Sequence, residues 1–254
     1  MGALDEVIYR RTPTGIELPP ARGTMTFASS VLEATLRQNG MELEARLPFL
    51  VFDVDDGHGG TPLIAGNVEL GGYYAMDTHG THVRVGAIFT LPTAATVQGG
   101  SSYGQPSYLD QAALSRGWDR AWLWTPHQIT PFAPSFRLSS PPGALIQHAT
   151  EVVLAPMIAV NPGSSTFPLS LQASQELGVH PSVLRLGLRV ELAGVLGVPN
   201  EFSANSSVVQ FSVLPFAGID AGPFFFDAGL LVNTADPVGL GGSWSMRFRA
   251  GGRF

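Results

Sequence analysis

Apolar and polar side chains alternate residue by residue along many short stretches of this chain. The clearest stretch is Val183–Val195, in which leucine or valine occupies every even position from 184 to 192 and arginine, glycine, glutamate and alanine occupy the odd ones. Successive side chains of a β-strand point to opposite faces, so this pattern predicts a strand with one apolar and one polar face. The same alternation recurs at residues 41–51, 82–91, 167–174 and 244–250. This recurrence predicts an all-β fold whose sheet separates an apolar from a polar environment.

The composition narrows the classes of protein and partner that fit such a sheet. The 254 residues fit one all-β domain, and no stretch approaches the roughly 18 uninterrupted apolar residues of a membrane-spanning helix. The net charge is −6 and every basic residue is arginine. This charge argues against a nucleic-acid partner, because phosphate binding needs clustered cations. The chain has no cysteine, which excludes disulfides and thiolate metal sites.

The composition of the polar face distinguishes two possible architectures, a soluble β-sandwich and a membrane β-barrel. In a soluble β-sandwich, the face turned to water normally carries many charged residues, lysine and glutamate especially. Here the polar face is rich in glycine, serine and glutamine, and the chain has no lysine. A wall between lipid and an aqueous interior requires the observed alternation. We therefore predict a closed antiparallel transmembrane β-barrel, with the soluble sandwich as the alternative.

The C-terminal stretch SWSMRFRAGGRF supports this prediction. It is an alternating strand, and its final residue, Phe254, shares the phase of Trp244, Met246 and Phe248. The stretch resembles the C-terminal signal by which Gram-negative outer-membrane barrels are recognised by the barrel-assembly machinery. The segments EARLPFLVFD, GNVELGGYYA and VGAIFTLPT are also similar to transporter-like barrels distantly related to the fatty-acid channel and the aromatic-pathway porins. The resemblance implies a cell outer membrane protein surrounded by outer-membrane lipid, and it does not identify a substrate.

The number of strands follows from the spacing of turns. Bacterial single-chain barrels have an even number of strands, with tight turns at one end and longer loops at the other. Counting back from the C-terminus predicts twelve strands, if one strand lies near His127–Leu138 and if Leu4–Arg11 forms the first. Without these two segments the count is ten. The predicted tight turns are Asn39-Gly40, Asp77–Gly80, Ser139–Gly143, Gly178–Ser182 and Asp220–Pro223.

The whole chain, residues 1–254, then forms one barrel domain. Residues 1–23 are an N-terminal arm or the first strand, and residues 92–126 are a long outer loop. A loop of this length can fold into the interior, and Tyr108–Trp124 could form a short helix within it. Its three tryptophans suit either packing in the interior or the aromatic girdle at the membrane surface. They are Trp118, Trp122 and Trp124.

Charged residues occupy many of the inward positions that this phase defines. Those on the strands with numbers 33–69 are mostly acidic, and those on the strands with numbers 185–189 and 247–249 are basic. Opposed acidic and basic sectors across water would line a selective pore, whereas arginine–carboxylate pairs would fill a narrow interior. The segregation slightly favours the pore. The inward set is Glu33, Arg37, Glu42, Glu44, Arg46, Glu69, Arg84, Glu151, Glu176, Arg185, Arg189, Glu191, Asp227, Arg247 and Arg249.

Other chemistry finds less support in the sequence. The cluster Asp53, Asp55 and Asp56 could bind Ca²⁺, but it lacks a later bidentate glutamate and is more often a solvated turn. A protease of the outer-membrane aspartyl type needs an acidic pair beside an Asp–His pair, and Asp77/His79 lies across the membrane from Asp53. No serine–histidine spacing indicates a hydrolase. We expect no enzymatic activity and no cofactor.

The predicted function rests on this architecture. We expect a passive channel or transporter for small solutes in the outer membrane. The alternative is a non-conducting barrel that anchors an envelope-spanning complex of the gliding or adhesion type, with periplasmic partner proteins. An open water path would favour transport, and a salt-bridged interior would favour anchoring. The N-terminal stretch MGALDEVIYRR has no apolar core, so we expect that a signal peptide preceded it in the precursor.

Overall fold

Strands dominate the computed structural model of this chain. The structure describes residues 2–4, 25–54, 63–96, 119–124, 128–141, 143–159, 169–196, 207–233 and 244–252. Within these residues the helical elements are α1 (Thr93–Thr96) and a 3₁₀ turn (Ala121–Leu123). No helix in the described part of the chain has the length and hydrophobicity needed to cross a membrane.

Fifteen strands are present in the described residues. Alternating apolar and polar side chains, as in Met41–Val54, favour these extended segments because each face then meets a single environment. The strands are β1 (Gly2–Leu4), β2 (Met25–Gln38), β3 (Met41–Val54), β4 (Leu63–Ala65), β5 (Val68–Thr78), β6 (Thr81–Leu91), β7 (Gln128–Ile129), β8 (Ala133–Ser139), β9 (Ile146–Pro156), β10 (Ile158–Ala159), β11 (Leu169–Val179), β12 (Leu184–Leu196), β13 (Ser207–Ala221), β14 (Phe224–Asn233) and β15 (Trp244–Gly252).

Twelve of these strands follow one another in a single antiparallel sheet, in the order β1-β2-β3-β5-β6-β8-β9-β11-β12-β13-β14-β15, and the short β4, which pairs with β3, is its thirteenth strand. The prediction of an all-β antiparallel fold is confirmed. Strand β8 is the strand expected near 127–138, and β1 overlaps the expected first strand only at Leu4, since residues 5–24 lie outside the described residues. Between β3 and the turn at 79–80 the described part of the chain forms two strands, β4 and β5, separated by Gly66 and Asn67.

Tight turns join neighbouring strands at one end of the sheet, and we call this row of strand ends the turn edge. At Asn39-Gly40 and His79-Gly80 both residues have φ between +48° and +78°. Two-residue hairpins of this kind match the twist of antiparallel strands and favour asparagine and glycine. The turns between β8 and β9, β11 and β12, and β13 and β14 lie where the sequence predicted them. Connections at the opposite edge are longer, as the alternation of tight turns and loops requires.

The two faces of the sheet have opposite polarity. On β12, Leu186 is 48% exposed whereas its neighbour Arg185 is 8% exposed. We call the face that carries Arg185 the inward face and the one that carries Leu186 the outward face. Buried residues of the described chain include more polar or charged side chains than apolar ones, and exposed leucine, valine and phenylalanine cover the outward face. This distribution is the reverse of that in a soluble domain.

The sheet is not closed by hydrogen bonds in the described residues. No ladder joins β1 to β15, so the closed barrel expected from the sequence is shown only as a twelve-stranded antiparallel sheet. Cα atoms of β1 and β15 nevertheless approach within 8 Å of each other. Both ends of the sheet therefore lie close together although no paired strands connect them.

The charged interior as candidate functional site

A buried segment, Asp119–Trp124, packs against the inward face, and we call it the insert. Trp122 and Trp124 are fully buried. Trp122 donates its indole N–H to Glu69 Oε2 at 2.6 Å, and its carbonyl accepts the side-chain amide of Asn67 at 2.9 Å. A Cβ at Gly66 would lie 2.3 Å from the backbone oxygen of Leu123. This close approach gives a reason for the break between β4 and β5, because the insert occupies the space beside residues 66 and 67.

Arg120 fixes the insert to three strands. Its guanidinium donates to Glu69 on β5 at 2.8 Å and to Glu151 on β9 at 2.7 Å, and its backbone N–H donates to Gln172 on β11 at 3.0 Å. Burial and the nearby Arg46 lower the pKa of Arg120, but the carboxylates of Glu69 and Glu151 outweigh both and raise it above the ordinary arginine value. The residue has φ 52°, a left-handed conformation that costs about 1–2 kcal/mol outside glycine. These contacts offset that strain.

The insert also contacts the end of the sheet. Asp119 accepts the Gln172 amide at 2.5 Å and lies 3.5 Å from Arg247 Nη1 on β15. Eight strand-to-strand steps separate β5 from β15. In a flat sheet these steps would span roughly 38 Å, at about 4.8 Å each. Residues from both strands contact the same six-residue segment, so the sheet must curl around the insert.

The acidic sector expected from the sequence contains its own counter-charges. Arg46 Nε lies 2.8 Å from Glu33 Oε2, its Nη1 lies 2.6 Å from Glu69 Oε1, and its Nη2 pairs with Glu44. Arg84 Nη1 lies 2.7 Å from Glu44 Oε2. Glu69 and Glu44 are almost completely buried, whereas half of the Glu33 side chain is exposed. The carboxylates are therefore neutralised by arginines of their own and nearby strands, not by the basic sector on β12 and β15.

Near the turn edge, Glu42 joins a second group of charges. It lies 3.5 Å from both Arg37 and His82, and His82 Nδ1 lies 2.8 Å from Asp77 Oδ1. Asp77, which the protease alternative would pair with His79, is thus paired with His82. His79 contacts the hydroxyl of Thr78 instead.

The basic sector contains a shared carboxylate. Asp227 on β14 accepts Arg185 Nη1 at 3.0 Å and Arg249 Nη2 at 2.6 Å. Asp227 and Arg185 are buried, whereas half of the Arg249 side chain is exposed. Arg185 also lies 3.7 Å from Glu176 on β11. Two arginines from strands on either side of β14 therefore meet one buried carboxylate.

Glu191 on β12 forms a similar group. Its Oε1 lies 2.7 Å from Arg189 Nε and 3.6 Å from Arg247 Nη1. Glu191 is 1% exposed, so its charge requires these partners. With this group, the structure places on the inward face all twelve residues predicted to line the interior, and it pairs them in local clusters. They are Glu33, Glu42, Glu44, Arg46, Glu69, Arg84, Arg185, Arg189, Glu191, Asp227, Arg247 and Arg249.

One arrangement of arginine, glycine and an aromatic ring occurs three times in the described residues and was not predicted from the sequence. In each, an arginine stands two residues before a glycine, and the ladder pairs that glycine with an aromatic residue of a neighbouring strand. The ring covers the glycine, and the arginine lies 4.0 to 5.9 Å from the ring centroid, within cation–π range. The pattern Arg-x-Gly was visible in the sequence. The sets are Arg84, Gly86 and Tyr73; Arg185, Gly187 and Phe216; Arg249, Gly251 and Phe225.

The structure also brings together a serine and a histidine that their spacing did not single out. Ser140 Oγ lies 2.8 Å from His148 Nδ1 and accepts the backbone N–H of His148 at 2.8 Å. These contacts close the turn between β8 and β9. No group of three His, Asp or Glu side chains placed to hold a metal ion occurs in the described ranges. The side chains of Asp53, Asp55 and Asp56, together with Trp118 and Phe254, lie outside the described residues.

Comparison of the chain with protein-family models, with curated proteins and with solved structures finds no match.

Proposed function

We propose that this protein is an integral outer-membrane β-barrel whose interior is closed to solutes and whose role is structural. The observation that carries the proposal is the inverted polarity of the sheet: leucine, valine and phenylalanine cover the outward face, and charged side chains are buried on the inward face. Soluble monomers rarely expose contiguous apolar patches above a few hundred Å². A lipid bilayer is the surrounding in which such a surface is stable, and the C-terminal resemblance points to the outer membrane.

Closure of the barrel is part of the same proposal. An open sheet edge in hydrocarbon leaves backbone N–H and C=O groups without partners, at several kcal/mol for each group. The approach of β1 to β15 within 8 Å and the curl of the sheet around the insert both support a closed wall. We infer that the two ends pair when the chain is embedded in lipid.

The insert supports the structural role over transport. A wall of twelve strands encloses more space than its own side chains fill, since about eight strands give an interior that side chains just occupy. Here the insert occupies part of that space, with two buried tryptophans and ion pairs from Arg120 to Glu69 and Glu151. A barrel without a water path can still bind other envelope proteins at its outer wall and at its ends, and so anchor them in the membrane.

Passage of small solutes is the second candidate, and one side chain favours it. Gln210 on β13 points inward and is 1% exposed, yet among the described residues neither its amide nitrogen nor its amide oxygen has a hydrogen-bond partner. Buried amides in proteins are almost always paired with protein or water. Water beside Gln210 would leave a hydrated region between the insert and β13, where a narrow path could run.

Conductance of the purified protein in planar bilayers tests the proposal. We expect the wild-type protein to insert without conducting, because the insert and its ion pairs occlude the interior. The double variant Arg120→Gln with Trp122→Ala removes the contacts that hold the insert and should conduct. Arg137→Gln is the matched control, since Arg137 lies on the inward face and contacts Glu151 at 3.7 Å but not the insert. Steady conductance of the wild-type protein would reject the closed interior and favour the solute channel.

A further inference from the structure

Two polar side chains form a hydrogen bond on the outward, otherwise apolar face. Thr150 on β9 and Gln175 on β11 are directly paired in the ladder, and the Thr150 hydroxyl donates to Gln175 Oε1 at 2.5 Å. Both alternate with inward residues such as Glu151 and Glu176, so both point outward. His148, two residues before Thr150 on the same strand, also points outward. We call Thr150, Gln175 and His148 the outward patch.

The outward patch extends into the depth that lipid tails would occupy. Thr150 is four residues from Ile146, where β9 begins at the turn edge, and Gln175 is four residues from Val179, where β11 ends at that edge. Four residues span about 13 Å along a strand, or about 10 Å along the barrel axis at the usual tilt. The apolar band of an outer-membrane barrel is about 25 Å tall. Thr150 and Gln175 therefore lie inside the band, and His148 lies nearer its boundary.

The rest of the outward face shows how unusual this position is. Among the described side chains away from the turn edge, the other outward residues with a nitrogen or oxygen atom are Ser30 on β2, Tyr74 on β5 and Trp244 on β15. They lie on separate strands, and no side-chain hydrogen bond joins any of them to a neighbouring strand in the described ranges. Tyrosine and tryptophan are common on the outer surface of membrane barrels because their rings are largely apolar. A threonine–glutamine pair has no apolar ring, and both side chains are too short to reach the interface from this depth.

We propose that the outward patch is the contact site for a second copy of this chain within the membrane. Two copies inserted in the same direction are related by an axis along the membrane normal, which places identical residues at identical depth. The Gln175 side chain of one copy then meets that of its partner, and a carboxamide can both donate to and accept from another carboxamide. The patch at this depth carries no formal charge. Ala173, next on the same face of β11, is small enough to allow close approach.

Two features favour a second copy over an unrelated partner. The Gln175 Nε2 donates to the backbone oxygen of Glu176 at 3.2 Å, and it has a second N–H for a neighbouring molecule. This second N–H needs a hydrogen-bond acceptor at the same depth in the partner. A symmetric copy of the chain supplies one, because its own Gln175 lies at that depth. Polar pairs between membrane segments are known to hold them together. The inference rests on the proposed membrane location, since in water the patch would simply be solvated.

Cross-linking in vesicles tests the contact, because the chain has no cysteine of its own. The purified protein with Ala173→Cys is reconstituted in phosphatidylethanolamine and phosphatidylglycerol vesicles at a low protein-to-lipid ratio and oxidised. Ala45→Cys is the matched control, since Ala45 is also an outward alanine but lies on β3, away from the patch. We expect covalent dimer from Ala173→Cys in at least fivefold excess over Ala45→Cys. Equal yields, or no dimer from either, would overturn the proposal.

The role of the hydrogen-bonding groups is tested in the same system. Gln175→Leu with Thr150→Val, introduced into the Ala173→Cys protein, keeps side-chain volume and removes the polar atoms. We expect the dimer yield to fall to that of the Ala45→Cys control, and an unchanged yield would overturn the role of the patch. Flotation of the same vesicles reports separately on membrane insertion. Floating protein with equal yields rejects the dimer alone, whereas protein that does not float rejects the membrane location on which the dimer depends.

Discussion

Glu69 is the residue on which the occluded interior depends most. Its carboxylate, 1% exposed, contacts Arg46 Nη1 at 2.6 Å, Arg120 Nη1 at 2.8 Å and the Trp122 indole N–H at 2.6 Å. Glu69→Gln keeps the shape of the side chain and removes its charge. Two buried guanidinium groups then lose a shared partner, and the insert loses its principal contact with β5.

The size of the effect follows from burial. Removing one member of a buried ion pair costs about 3–5 kcal/mol, because the remaining charge is left without compensation. Arg46 and Arg120 keep other carboxylates, so we expect about 3 kcal/mol for Glu69→Gln. Glu33→Gln is the matched control, since Glu33 also pairs with Arg46 but half of its side chain is exposed. Exposed pairs contribute about 0–1 kcal/mol, and we expect the control to fall in that range.

Urea unfolding from lipid bilayers, followed by tryptophan fluorescence, measures both free energies of unfolding. The buried Trp122 and Trp124 report directly on release of the insert. In the Glu69→Gln protein, their emission should shift towards the red at a lower urea concentration than the loss of β-structure in circular dichroism. Equal stability of the two variants would refute the argument that the interior is held by desolvated charges.

Three further outcomes are expected. Gly86→Ala should lower stability by about 1–3 kcal/mol in the same assay, because its Cβ would lie 2.1 Å from the backbone oxygen of Gly72 and 2.6 Å from the Tyr73 ring. Gly72→Ala is the control and should be nearly neutral, since its Cβ would meet no atom within 4 Å. Val190→Arg should cost about 2–4 kcal/mol, because Val190 pairs in the ladder with Gln175 and so lies inside the apolar band, and a harmless Val190→Arg would contradict the outward assignment. Deleting Phe254 should slow insertion by the assembly machinery in cells, as membrane yield would show, while a barrel already folded keeps its melting temperature.

The faces of the strands could be predicted from sequence because they depend on local information. Alternation with a period of two fixes which side chains share a face, whatever the neighbouring strands are, so Arg185 and Leu186 lie on opposite faces as the pattern predicts. The turns at Asn39-Gly40 and 79–80 have equally local causes, since positive φ favours asparagine and glycine. The order of strands then follows from antiparallel hairpins in sequence.

The position of the insert could not be predicted in the same way. Glu69 and Arg120 are 51 residues apart, and their contact depends on how a long loop returns across the sheet. The break between β4 and β5 follows from that return, because the Asn67 side chain donates a hydrogen bond to the Trp122 carbonyl. The pairing of charges within sectors depends equally on which side chains reach each other, a property that strand order leaves undetermined.

The three Arg-x-Gly sets show what more the sequence could have given. A glycine on the polar face of a strand, two residues after an arginine, calls for an aromatic residue opposite it once the hairpin register is known. Tyr73 follows from the register of β5 with β6, which the tight turn at 79–80 fixes. The ion pair of Arg84 could not be derived with it, since Glu44 belongs to β3, a strand beyond this hairpin.

Accessibility along β12 reports whether the outward face meets lipid. Single cysteines at positions 184 to 192 of this cysteine-free chain are spin-labelled in vesicles and exposed in turn to oxygen and to a water-soluble nickel chelate. We expect a period of two, with high oxygen and low nickel collision rates at Leu186, Leu188 and Val190 and the lowest oxygen rates at Arg185, Arg189 and Glu191. Nickel collision rates at Leu186 and Leu188 as high as those of a label on a water-exposed loop would show that the outward face meets water and not lipid.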